Sequence, residues 1–296
     1  MTCMFQNCPE LTTIYAASGA DWSGVGSSNN MFNGCTALEG GNGTKYNSSY
    51  IDATYARIDK EGQKGYFTVI PYYAKVGDVL YYDYATTIEA ITNASGSTKV
   101  VIYKGTAGEL GKVGTSSPSG IIGAIMSNSN AQFSFVVPEG ANIVLSGDDC
   151  ENMFAGLNNL ISADLRGFNT SSVTNMSAMF WNCPELISLN ITNFITNNVT
   201  RMDNMFVACY KLTTIDVSSF NTGKVEYMDR MFAACTELTT IYAAAGANWK
   251  TSVLKSSVEM FLNSEKLPSY RDDCIDATYA RINGGETNRG YFTVKN

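Results

Sequence analysis

The chain has 296 residues, a formal net charge of −7, 45% hydrophobic residues and only 16% charged ones, with no histidine at all. That length can bury a large core in two or three domains. The acidic balance supplies no basic stripe for nucleic-acid phosphates and little attraction to anionic lipid. The missing imidazole removes the commonest general base, the commonest zinc ligand and the usual base partner of a Ser or Cys nucleophile. An enzymatic role, a cofactor and a metal are therefore not expected. No run of 18 apolar residues offers a membrane span, and the opening MTCMFQNC has neither the basic nor the apolar region of a signal peptide.

Residues 1–70 contain Met4-Phe5 and Met31-Phe32, 27 positions apart, followed by three strings that recur near the other end. LTTIYAA occurs at 11–17 and 238–244, IDATYARI at 51–58 and 275–282, and GYFTV at 65–69 and 290–294. A stacked-coil protein needs an atypical terminal coil to cover its core, so both stretches read as C-terminal caps, the first preceded by a partial repeat. Met1 aligns with Met228, inside a coil. Either the sequence is a piece of a longer tandem chain, or this open N-terminal coil is expected to pack on the following domain or to self-associate with another copy.

Residues 71–147 follow no such period. Tyr72–Tyr84, Thr98–Lys104, Ile121–Met126, Ala131–Pro138 and Asn142–Ser146 are β-branched or aromatic runs between Gly, Ser and Asn turns. They predict an inserted all-β sandwich-like domain.

Residues 148–296 carry the regular ruler: Met153-Phe154, Met179-Phe180, Met205-Phe206 and Met231-Phe232 are each 26 positions apart, and Met260-Phe261 follows 29 later. A fixed period of this size means stacked coils. Leu186, Leu189 and Ile191, or Leu212, Ile215 and Val217, predict one short strand per coil. Val199, Met202, Met205 and Phe206 recur at helical spacing and predict one short helix. Repeated in register, these Met and Phe residues read as core. Cys8, Cys35, Cys183, Cys209 and Cys235 each sit four residues after a repeat Met. They read as a ladder of buried thiols; a disulfide between stacked rungs, such as Cys183 with Cys209, is the alternative, because stacked Cα atoms lie within bridging range.

The pattern formed by Met179-Phe180, Cys183, Leu186, Leu189, Phe194, Val199 and Met202, and again by Met205-Phe206, Cys209, Leu212, Ile215, Phe220, Val225 and Met228, resembles the BspA-like leucine-rich-repeat surface proteins of bacteria. SSNNMFNGCTALEGGNGTKY at 27–46 and TYARID at 54–59 resemble that family's endings. The fold class expected is an α/β leucine-rich-repeat-type solenoid with an inserted β-sandwich-like domain, divided at 1–70, 71–147 and 148–296. The resemblance implies extracellular or cell-surface display and adhesion to a protein or glycan on another cell or matrix. A structural subunit of a tandem stalk or self-assembling filament is the alternative. The first and last coils depart from the pattern, with Leu157 and Ser264 where Cys is expected.

Ser188, Asn190, Thr214 and Asp216 are outward positions of the repeat strands and form the candidate partner-binding face. Trp22, Trp249, Tyr72 and Tyr82 are candidate aromatic contacts, because large amphipathic rings dominate recognition surfaces; packing within caps and strands competes with that reading. Asp148-Asp149 with Glu151, and Asp272-Asp273, lack the spaced carboxylates of a calcium loop and read as solvated turns.

Overall fold

The structure is a computed structural model that describes residues 3–16, 21–26, 28–69, 73–112, 118–268, 270–283 and 290–295. It divides into two units, Met1–Pro71 and Tyr72–Asn296.

In the first unit, β1 (Ile14–Ala16) pairs in parallel with β2 (Phe67–Val69). The rings of Phe5 and Phe32 stack at 5.7 Å, and Tyr66 closes that stack edge-on to Phe32 at 5.0 Å. The buried Asp59 carboxylate accepts from the backbone N–H groups of Asn42, Thr44 and Gly65 and from the Thr44 hydroxyl, tying a hairpin to the cap. Gly65 explains one recurring letter of the duplicated ending: a Cβ there would lie 2.2 Å from the Arg57 carbonyl oxygen, and one at Gly290 would lie 2.2 Å from that of Arg281. No side chain fits either crossing.

The second unit begins with β3 (Ala74–Val76), β4 (Val79–Tyr81), α1 (Tyr84–Thr92), β5 (Gly96–Ile102), α2 (Ala107–Leu110), α3 (Gly120–Ser127), β6 (Ala131–Val136) and β7 (Ile143–Gly147). The all-β expectation fails here. Asp83 caps α1 by accepting from the Thr86 N–H, so the run ending at Tyr84 turns into a helix. Ile121–Met126 forms most of α3, because a short apolar run buried on all sides fits helix as well as strand. Ile91, Ile121, Ile122 and Ile125 pack with Val100, Phe133 and Phe135 in one core. The Asn128 amide donates to the carbonyls of Ile91 and Ala94, and the Asn159 amide to those of Ile125 and Asn128.

Nor is there a break at 147. The coils contribute β8 (Leu160–Asp164), β9 (Phe168–Val173), β10 (Ser188–Asn190), β11 (Thr214–Asp216) and β12 (Thr240–Ala243), and the chain ends on β13 (Phe292–Val294). One six-stranded sheet, ordered β10-β8-β6-β5-β3-β4, joins the middle segment to the first coils. β11-β12-β13 form a second sheet and β7-β9 a third.

The expected helix around each Met-Phe pair is absent; these segments are successive turns. The backbone hydrogen bonds explain why. Phe154, Phe180 and Phe206 each donate their N–H to the Met carbonyl of the following coil at 2.9 Å, and Phe232 donates to Met260 at 2.8 Å. The residues flanking the pair do the same: Ala178 donates to Asp203 and Asn182 to Val207. A helix would spend these amides on its own fourth-preceding carbonyl. The flanking residues also lie in the left-handed region, with φ of 53° at Ala178, 54° at Asn182, 59° at Asn204 and 59° at Ala208, which an α-helix of L-residues excludes.

This ladder stacks the side chains it carries. The rings of Phe154, Phe180, Phe206, Phe232 and Phe261 follow one another at 5.2, 5.8, 5.5 and 5.6 Å. Phe135 closes the stack edge-on at one end and Tyr291 at the other. The thiols of Cys183, Cys209 and Cys235 each donate to a Phe carbonyl one coil back, at 3.1, 3.2 and 3.0 Å, and Ser264 makes the same bond at 2.6 Å. Buried Thr170 accepts from the Ile195 N–H and donates to its carbonyl; Thr196 does the same with Asn221.

Two outcomes follow from this core. Phe206→Ala removes the middle ring of the stack and lowers unfolding free energy by about 3–5 kcal/mol, read by urea titration; a loss under about 1 kcal/mol contradicts the packing. Burial pushes the thiols of Cys183 and Cys235 up to about 12, so iodoacetamide leaves them untouched in the native protein while modifying exposed Cys3 and Cys8. After denaturation without reductant, Cys183, Cys209 and Cys235 each take one label. A missing pair of labels means a disulfide.

Candidate binding face

The solvent-facing side of the six-stranded sheet is assembled from one residue in two along each strand. Its register places Lys75 beside Leu80 and Val101, and Lys99 beside Ser134. Ser134 is followed by Ser162 and Ser188, while Val136 is followed by Asp164 and Asn190. The opposite side carries Ala74, Val100, Phe133, Phe135, Ala163 and Leu189, all buried. The outward side is therefore a row of hydroxyls beside a row of acid and amide groups. The hydroxyls of Ser162 and Ser134 are themselves bonded at 2.8 Å.

The second sheet continues both rows. Thr214 lies beside Thr240, and Asp216 beside Tyr242 and then Thr293. Of the expected face, Ser188 and Asn190 thus stand on one sheet and Thr214 and Asp216 on the other. A groove of about 570 Å³ lies where the sheets meet, lined by Leu189, Thr214, Asp216, Tyr242, Thr293 and Lys295 among others.

Not all of these polar groups are available to a ligand. Asp164, Asn190 and Asp216 each fold back on the residue two positions on, accepting from the N–H of Arg166, Thr192 and Ser218. This is the Asx turn that ends each strand. Asp164 also takes a two-point ion pair from Arg166, and Asp216 pairs with Lys295. Ser188 and Thr214 are exposed.

The aromatic expectations divide. Trp249 is only 3% exposed; its ring lies between Phe220 and Phe292 at 6.2 and 4.8 Å, so it is cap core and not a contact residue. Trp22, at the equivalent place, is half-buried and edge-on to Phe67 at 4.9 Å. Tyr82 is 41% exposed, and Tyr72 lies outside the described residues. Exposed Trp181, Ile187 and Tyr210 escaped the sequence reading. No repeat signal marked them: Trp181 stands where Ala155 and Ala233 are buried, and buried equivalents such as Leu165, Ile191, Val217 and Ala243 vary as widely. Of the acidic turns, Asp149 accepts from the Ser146 N–H and Asp273 pairs with Arg271. Among the described residues no three His, Cys, Asp or Glu side chains gather as a metal site, and no helix is long and apolar enough to cross a membrane.

The ion pairs set a pH dependence. The Arg166 guanidinium holds Asp164 below the usual carboxylate range. Burial works to raise Asp216, but the bonds from Lys295 and Ser218 outweigh it and leave that carboxyl lowered too. A carboxyl depressed on folding stabilises the native state above its unfolded pKa, about 3.9, and loses that contribution as pH falls through the lower folded value. Both pairs are partly solvated, so each contribution is small. Thermal stability should fall as pH drops from about 5 to about 2, and an Arg166→Met, Lys295→Met variant should fall less steeply over that window.

Comparison with known proteins places a match on this part of the chain: residues 148–272 match the family described as "Mycoplasma protein of unknown function, DUF285". No curated protein and no solved structure matches the chain.

Proposed function

We propose that this chain is a non-catalytic, outward-displayed bacterial repeat protein that holds a macromolecular partner on its strand face. The observation that carries the proposal is the continuity of that face. The side chains of Ser134, Ser162 and Ser188, then of Thr214 and Thr240, repeat one per strand, with Ser188 and Thr214 exposed and the other three half-buried. Small hydroxyls leave such a surface hydrogen-bonding and nearly flat beside the groove at the sheet junction. An extended partner is a better fit than a small substrate, because a ligand pocket converges a few polar groups in a mostly apolar cavity.

The coil stack is, in this proposal, of the leucine-rich-repeat type. The likeness of its repeat to the BspA-like surface proteins supports display outside the cell and adhesion to a protein or glycan of another cell or matrix. A chain without histidine also keeps its side-chain charges nearly constant across mildly acidic to neutral surroundings, which suits a displayed binder.

The test is a double variant, Ser188→Arg and Thr214→Arg. These side chains face outward, so the variant should keep the parent's thermal midpoint. Adhesion to host cells or matrix-coated surfaces should fall by at least about tenfold, the equivalent of 1.4 kcal/mol. Undiminished adhesion by the folded variant refutes the assignment of this face.

A further inference from the structure

The two duplicated endings differ in one place, and the difference builds a cleft. Tyr46 and Tyr270 are equivalent: each hydroxyl accepts a backbone N–H, from Gly34 and from Asn263. So are Tyr66 and Tyr291, which accept from the N–H groups of Asn47 and Arg271. Between Leu38 and Tyr46 lie the seven residues EGGNGTK, whereas only Pro268 and Ser269 lie between the equivalent Leu267 and Tyr270. The longer segment folds as a hairpin bridged at Glu39 and Lys45, and a second tight turn is bridged at Lys60 and Gln63. Residues of both line a cleft of about 670 Å³.

Asp59 fixes the walls and has no bond left to offer a ligand. Its buried carboxylate is spent on the N–H groups of Asn42, Thr44 and Gly65 and on the Thr44 hydroxyl. Lys45, Lys60 and Lys64 are the only lysines of residues 1–70, and all three line the cleft. They are exposed, and among the described residues none of them forms an ion pair. The Lys64 ammonium sits over the Tyr50 ring, 5.5 Å from its centroid, and Tyr55 stacks on that ring at 4.2 Å. The side-chain amides of Asn42 and Gln63 also line the cleft and have no hydrogen-bond partner among the described residues. Glu61 is the only other acid of the described lining, which includes no Ala, Val, Leu, Ile, Met or Phe. In the second ending Cys274 stands in place of Tyr50, and Asp272-Asp273 in place of Ser48-Ser49.

We infer that this cleft binds an acidic saccharide, a sugar unit carrying a carboxylate or a sulfate. An ammonium group has three donors and no acceptor, so three of them around one cleft select an anion. An amide both donates and accepts, as the neighbouring hydroxyls of a sugar do. A hydrophobic ligand finds no apolar lining to bury against. A polyanion such as nucleic acid meets an unfavourable balance, since residues 1–70 carry four basic side chains against six acidic ones. The inference is independent of the strand-face reading, since none of its residues belongs to that face.

The experiment is a calorimetric titration of the full chain with three disaccharides: one containing glucuronic acid, one bearing a sulfate ester, and neutral lactose. At least one acidic disaccharide should bind at least about tenfold more tightly than lactose, and the tighter of the two identifies the anion. A Lys45→Gln, Lys60→Gln variant should keep the parent's thermal midpoint and lose at least about tenfold in that affinity. Lys224→Gln, which changes an exposed lysine outside the cleft, should lose none. Absence of binding by both acidic disaccharides overturns the inference, as does equal binding by the parent and the cleft variant or equal weakening by Lys224→Gln. So does binding of inorganic sulfate or a tetraglutamate peptide as tight as that of the acidic disaccharides, because the site would then recognise a bare anion or an acidic peptide.

Discussion

The structure depends on the direction in which a few peptide groups point. At the Met-Phe turns from Phe154 to Phe232 the amide of Phe is given to the next coil and not to its own, and Phe261 gives its amide to Ile275 in the ending. Because a trans peptide is planar, the same unit that donates forward accepts from behind, and a one-way ladder runs through the stack. The left-handed residues beside each pair, the near-parallel Phe rings and the thiol-to-carbonyl bonds are consequences of that choice. Left-handed backbone at Ala178 or Arg230 costs about 1–2 kcal/mol per residue and persists because the turn it creates lets a buried amide find a partner.

The ladder also explains which features were legible in the sequence. The period was, because stacked coils must repeat what they bury. The strands were, because Leu186, Leu189 and Ile191 alternate as a half-buried strand must. The Met-Phe segment was not, since Val199, Met202, Met205 and Phe206 have helical spacing yet lie on a chain of turns. Side-chain periodicity records which residues face inward, and this zigzag shares that record with a helix. What separates them is the destination of the amides, which no side chain reports. Ile121–Met126 failed for a related reason, being apolar on all sides and so without a period to read. The sheet joining β6 to β8 was hidden because it pairs segments of different type, one inside the repeat and one outside it.

On the candidate face, the outward positions were legible from alternation alone, and Ser188, Asn190, Thr214 and Asp216 do share a side. Their occupations were not. Asp216 is held by Lys295 and Ser218, and Asn190 by Thr192, leaving the hydroxyl row as the more accessible of the two. Trp249 shows the same limit from the other direction: a large ring in an atypical cap marks recognition or packing equally well, and here Phe220, Phe232 and Phe292 surround it.

The orientation of the intercoil bonds has a mechanical consequence. They lie along the stack axis, so tension between the two ends of the stack loads the interfaces in series. Each coil closes its bonds only with its neighbours, and the capping ring of Tyr291 guards the last interface. Under load, a chain of this design would yield one coil at a time, each releasing about 26 residues, or roughly 90 Å of extended length. A stack that lengthens in such steps dissipates force while the coils that remain stay intact.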